Sequence, residues 1–117
     1  MRFFIRQLLA IAEGEPFVQL IRLFLPEVIH HPAIAPAGLA GIDELARFVE
    51  RFLADKMARG ELRQGDAALT TQVLLSNLMG AVLRRQVIRD PAMLRYSQEQ
   101  LADSIASVML HGLLPGT

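Results

Sequence analysis

Between Asp66 and Arg89 the chain carries a helix-length run that is apolar on most of its circumference from Val73 to Leu83. A helix with one wet side shows a stripe of apolar residues, whereas one that is apolar all round is buried from more than one side. The fold therefore has to wrap this segment with several neighbours. A bilayer is not the wrapping. The most apolar stretch, residues 17–29, is interrupted by Gln19, Arg22, Pro26 and Glu27, short of the ~20 uncharged residues that a span needs. The opening Met1-Arg2-Phe3-Phe4-Ile5-Arg6 looks superficially like a secretion signal. Gln7, Glu13 and Glu15 follow too soon, with no small-residue cleavage pattern, so it reads as helix.

The neighbours can be read from apolar spacing, and no run alternates with period two over a useful length. A first helix is expected over residues 2–13, with Phe4, Leu8, Ile11 and Ala12 on one face and Gly14 as its stop. No Ser, Thr, Asp or Asn caps its start, so it reads as the tail of a longer helix. Glu15-Pro16 opens a second helix whose broad face holds Phe17, Leu20, Ile21, Phe24, Leu25 and Val28. Pro26 should kink it, freeing the Arg22 carbonyl, and His31-Pro32 closes it. Residues 33–41, with Pro36, Gly38 and Gly41, read as a loop or a short distorted helix. The third helix is the clearest: Ile42, Leu45, Phe48, Val49, Phe52 and Leu53 share a face opposite Glu44, Arg47, Glu50, Arg51 and Lys56, and Gly60 caps it. Asp66 is an N-cap for the fourth helix, which Asp90-Pro91 ends. Ser97 and Gln100 form a capping box for the fifth, and Gly112 closes it. The expectation is all-α: one domain over residues 1–117, an antiparallel bundle of about five helices.

Composition adds a constraint on partners. The 117 residues are 52% hydrophobic with a mean hydropathy of +0.33, a surplus that a small monomer can place only in a subunit interface or a ligand cavity. Twelve Lys and Arg balance twelve Asp and Glu, so no basic surface is concentrated enough to neutralise several phosphates. The absence of cysteine excludes disulfides, thiolate metal sites and Cys nucleophiles, and fits a cytoplasmic location.

The order of punctuation is also characteristic. Arg59-Gly60-Glu61-Leu62-Arg63, two spacers and Asp66 resemble the "GxLR..D" connection of TetR-family C-terminal domains. Leu74-Leu75-Ser76-Asn77-Leu78-Met79-Gly80 is similar to that family's "LLxxLxG" helix. Upstream, Phe17-Val18-Gln19-Leu20-Ile21-Arg22 with Glu27 and Pro32 resembles its "fvrL…E…P" helix, and His111-Gly112-Leu113-Leu114-Pro115 its "GL.P" finish. The resemblance spans residues 3 to 115. It implies a homodimer built on the last two helices, an effector pocket among the middle helices, and operator DNA contacted only through an N-terminal helix-turn-helix domain. That domain's fifty or so residues do not stand before Met1, so the expectation is a sensing and dimerising domain whose DNA-binding half is missing or truncated.

Candidate effector-binding residues are Phe17, Phe24, Phe48 and Phe52, with Leu74, Asn77 and Leu78 on the fourth helix. Phenylalanine at helical spacing is equally a core pattern. Asn77, an amide among leucines, needs a partner: an effector, the other subunit, or water. Ser76, Gly80, Leu83 and Val87 make a stripe with two small residues that allows close helix approach, assigned to the dimer seam with Leu101, Ile105, Val108 and Met109; close packing within one subunit is the alternative. His30 and His31 diverge by about 100° on a helix and lack a third ligand, so no metal site is expected. Arg84, Arg85 and Arg89 read as solvated surface complementing a helix dipole. No nucleophile motif, phosphate-cradling loop or apolar acid pair is present, and Glu99 and Asp103 share a polar face, so neither catalysis nor a cofactor is expected.

The expected effector is a hydrophobic or amphipathic small molecule. The competing reading is a helical adaptor that binds another protein and no small ligand. An internal cavity of ~300 Å³ or more between the second, third and fourth helices would separate them, since a solidly packed interior favours the adaptor.

Overall fold

The computed structural model describes residues 2–113, all-helical apart from short connections and with no strand among those residues. Six α-helices follow in order: α1 (Arg2–Ala12), α2 (Glu15–His30), α3 (Ala35–Ala58), α4 (Ala67–Val82), α5 (Pro91–Leu94) and α6 (Gln98–Leu113). A 3-10 turn, Pro32–Ile34, joins α2 to α3, and a π-helical turn, Leu83–Val87, prolongs α4. Met1 and the Leu114–Pro115 finish lie outside the described residues.

The punctuation works largely as the residue types dictate. Asp66 accepts the Leu69 N–H at 3.0 Å and starts α4. Ser97 and Gln100 exchange hydrogen bonds of 2.8 and 3.0 Å in a reciprocal capping box for α6. Gly60 takes φ +75°. There the Glu61 N–H reaches the Lys56 carbonyl at 3.0 Å and the Gly60 N–H the Met57 carbonyl at 3.1 Å, a Schellman closure of α3.

Three expectations are corrected. The stretch 33–41 is not a loop: α3 begins at Ala35, with Pro36 in its first turn, where a missing N–H is harmless, and Gly38 and Gly41 inside it. The segment after Asp90-Pro91 forms α5, capped by Asp90 accepting the Ala92 N–H at 3.0 Å. The fourth helix leaves α geometry at Leu83, where the Ile88 N–H bonds back to the Leu83 carbonyl at 2.8 Å. It ends at Arg89, whose φ of 60° is unusual for a residue with a Cβ. α2 runs on through Pro26.

The closest packing is α1 on α6 and α3 on α4, with α4 also meeting α1. Ile5, Leu9, Val49, Leu53, Leu74 and Val82 are fully buried at the centre, closed by Ala102 and Ala106 of α6. Arg6 of α1 grips Asp103 of α6 through two hydrogen bonds of 2.9 and 2.8 Å. α2 is different: only Val18 is buried, while Leu20, Leu23 and Ile29 stand exposed. The result is a slab of 45 × 34 × 19 Å, about two helices thick. Its radius of gyration is 15.2 Å, against about 13 Å for a compact chain of this length. It exposes 7302 Å² for 13.0 kDa, where a folded monomer of that mass exposes roughly 6,300 Å².

The corner between α4 and α5 offers a first prediction. The Arg84 guanidinium, bonded to Asp90 at 2.8 and 3.1 Å, and the Ala92 N–H hold the Asp90 carboxyl below the usual carboxylate range. A lowered folded pKa gives stability that is present above the unfolded pKa and lost as pH falls through the folded one. Asp90→Asn keeps a capping oxygen and loses the charge. Its thermal midpoint should lie slightly below that of the wild type at pH 7, and the gap should close as pH is lowered through the carboxylate range. A gap constant with pH would assign the effect to something other than that charge.

Candidate functional site

The sequence builds an apolar groove where α1 ends and α2 begins. Gly14 permits the tight turn, and Pro16 starts α2 at once, so Phe17 and Leu20 face back toward the last turn of α1. The groove is about 410 Å³. Leu8, Ile11 and Ala12 of α1 form one wall and Phe17 and Leu20 of α2 the next; Gly41, Ile42 and Leu45 of α3 and Leu75, Leu78 and Met79 of α4 complete it. No lining side chain is charged or can donate a conventional hydrogen bond. A shallower recess of about 520 Å³ lies at the α1–α2 turn, over Gly14 and Pro16, and shares Ile11, Phe17 and Leu20 with the groove. The walls include the three helices expected, joined by α1, and the space is an open groove rather than an internal cavity.

Of the candidate effector residues, the structure brings Phe17 and Leu78 to this groove. Leu74 is fully buried in the core. Phe52 stacks on Phe4 with ring centroids 4.1 Å apart, and Phe48 lies 6.3 Å from Phe4, more than half exposed. These three rings form a separate cluster between α1 and α3. Phe24 is half-buried outside the groove. Asn77 is exposed, and its amide lies 3.9 Å from the Met109 sulfur of α6, a weak acceptor. Sequence reasoning missed the α1 wall and, on the expected third helix, the residues that line the groove, Gly41, Ile42 and Leu45. Ile11 was legible as an apolar residue on the first helix; Gly41 fell in a stretch read as a loop or a short distorted helix.

Of the dimer-seam candidates, Leu101, Ile105 and Met109 of α6 pack on the subunit's own core, while Ser76 and Gly80 of α4 and Val108 of α6 face outward. Ser76, Gly80 and Val108 are exposed; Leu83, Val87, Leu101 and Ile105 are half-buried; Met109 is buried. A Cβ built on Gly80 meets no atom within 4 Å, so its smallness serves no packing inside the subunit. Beside this stripe, Leu69, Val73 and Val108 border a shallow depression of about 260 Å³.

One polar feature was read differently. Arg85 is not solvated surface: its side chain is 10% exposed and lies with Nε 2.7 Å from Oε1 of Glu13, itself 4% exposed. The Nε–H points off that oxygen, so the contact is ionic and both atoms lack a hydrogen-bond partner. The rest of the pair is well bonded. Gln86 donates to Glu13 Oε2 at 2.9 Å, Arg85 Nη1 donates to the Tyr96 carbonyl at 2.6 Å and the Met93 carbonyl at 3.3 Å, and Arg22 of α2 donates to the Gln86 carbonyl. The π-helical turn is thereby tied to α1, α2 and α5. Glu13 directly follows the groove residues Ile11 and Ala12, and Met79 stands one turn before Leu83. His30 and His31 are exposed at the end of α2.

Compared with known proteins, residues 1–112 match the family model described as the AefR-like transcriptional repressor, C-terminal domain. No curated protein and no solved structure matches the chain. No helix among the described residues is long and apolar enough to cross a membrane.

Proposed function

The chain belongs to the AefR-like C-terminal domains of TetR-family transcriptional repressors, and from that premise we propose that it senses a small molecule and dimerises. As an effector-binding and dimerisation domain it serves transcription regulation. The finer reading is that an apolar or amphipathic effector occupies the groove between α1, α2, α3 and α4. Occupancy then alters operator binding by an N-terminal helix-turn-helix in the intact cytoplasmic regulator, while this domain catalyses nothing and touches no DNA itself. The observation that carries it is the groove: about 410 Å³ of apolar-walled space beside the core, within the size range of small-molecule sites. The homodimer is supported by the flat shape, the roughly 1,000 Å² of surface beyond that of a compact monomer, and the exposed α4–α6 stripe. A standard interface buries about 800 Å² on each partner.

The test joins two measurements on the purified chain. Sedimentation at micromolar concentration should give a dimer. A thermal-shift panel of apolar small molecules should contain members that raise the midpoint by several degrees, since saturation at 100 times Kd contributes about 2.7 kcal/mol. A monomer that no panel member stabilises would sink the reading.

A further inference from the structure

The effector-site reading can be carried to the class of molecule, on which this inference rests. The groove and the recess at the α1–α2 turn share Ile11, Phe17 and Leu20, so together they make one trough along the last turn of α1. Its lining offers no side chain that would replace the hydration of an ion. Glu15, between the lining residues Gly14 and Pro16, is exposed at the mouth and opposes a carboxylate there. On the far bank stands Gly41, inside α3, with no positive φ to require a glycine. Glycine weakens a helix, and a Cβ at Gly41 would meet nothing within 4 Å. No neighbour in the fold fills that space, and Gly41 is among the residues that line the groove. We infer that the trough takes an elongated, uncharged, apolar molecule laid along Ile11 from Gly41 to Pro16, and that the missing side chain of Gly41 sets the room it has.

The experiment loads the full chain with the neutral fluorophore N-phenyl-1-naphthylamine and displaces it with straight-chain 1-alkanols, alkanoates and alkylammonium salts of matched lengths. Alkanols should compete best, gaining about fourfold in affinity per methylene until the trough is filled. The charged series should be weaker by roughly tenfold or more at each length. Gly41→Leu should lose roughly tenfold or more in fluorophore affinity while melting no lower than the wild type, because leucine is the better helix former. Gly41→Ala should show a smaller loss, and Ile11→Glu, at a position 61% exposed, should weaken binding without unfolding the chain. If a charged series competes best, or if only the Gly41 variants bind as the wild type does, this inference is overturned and the groove remains an effector site. If nothing binds, or Ile11→Glu and Gly41→Leu both bind normally, the groove is lost as the effector site and this inference falls with it.

Discussion

Replacing Arg85 by methionine is expected to destabilise the fold by about 3–5 kcal/mol, the cost of leaving a buried carboxylate without its partner. For a chain of this size that is a fall of roughly 10–20 °C in thermal midpoint. The reasoning starts from burial: Glu13 and Arg85 are 4% and 10% exposed and 2.7 Å apart, so neither can turn to water when the other is removed. Arg85 also holds the carbonyls of Met93 and Tyr96, and its loss leaves those two acceptors short as well as the Glu13 charge unopposed. Glu13→Gln also leaves a buried charge, on Arg85, but should cost less, because that guanidinium keeps the Met93 and Tyr96 carbonyls and the amide oxygen still accepts from Gln86. The double variant Glu13→Gln with Arg85→Met should recover part of the loss, since replacing both members of a buried pair is far cheaper than removing one. Midpoints must be compared at one protein concentration, because dimerisation stabilises by mass action. Single variants that melt within 1 °C of the wild type would show the pair to be solvated.

Arg85 also shows where sequence reading stops. Leu78, Val82 and Arg85 stand at i, i+4 and i+7 on α4, so the spacing alone puts Arg85 on the buried face. The residue type argued for the surface, and with Arg84 beside it the pair read as solvated. What no pattern supplied was Glu13, 72 positions earlier in the chain; an ion pair across tertiary structure has no local signature. The caps were legible because they are local: Asp66, Gly60 and Ser97-Gln100 act on backbone groups within a few residues. The same locality misled at residues 33–41. Proline and two glycines are helix-breaking on average, yet Pro36 fell in the first turn and the apolar face from Ile42 onward carried the helix back to Ala35. Family membership and the all-helical class followed from order and period along the chain. The groove did not, because its wall includes Ile11, Leu20 and Gly41, residues whose roles depend on how α1, α2 and α3 lie against one another. Phenylalanine was a partial guide to it: Phe17 lines the groove, whereas Phe48 and Phe52 gather around Phe4, where aromatic contacts add stability of their own.

The proposed dimer seam gives the second large effect, and Gly80 gives the cleanest way to test it. Val108→Glu should dissociate the dimer by two orders of magnitude or more, about 3 kcal/mol, because a two-fold interface meets the same substitution twice and buries both charges. Val108 is 68% exposed in the subunit, so the monomer should fold normally and sediment at half the mass. A charge alone, however, would disrupt many kinds of contact. Gly80→Leu asks a sharper question. Within the subunit an added side chain meets nothing within 4 Å, and leucine favours the helix over glycine by nearly 1 kcal/mol; the monomer should therefore gain slightly. At a seam where two α4 helices cross at small residues, the same side chain forces the backbones apart. Stability of the monomer and affinity of the dimer should move in opposite directions. Phe48→Glu, more than half exposed on the α1–α3 side, should leave the dimer intact. A Gly80→Leu chain that still sediments as a dimer of unchanged affinity would place the seam elsewhere. In that case the small residues of α4 would need another explanation than close approach.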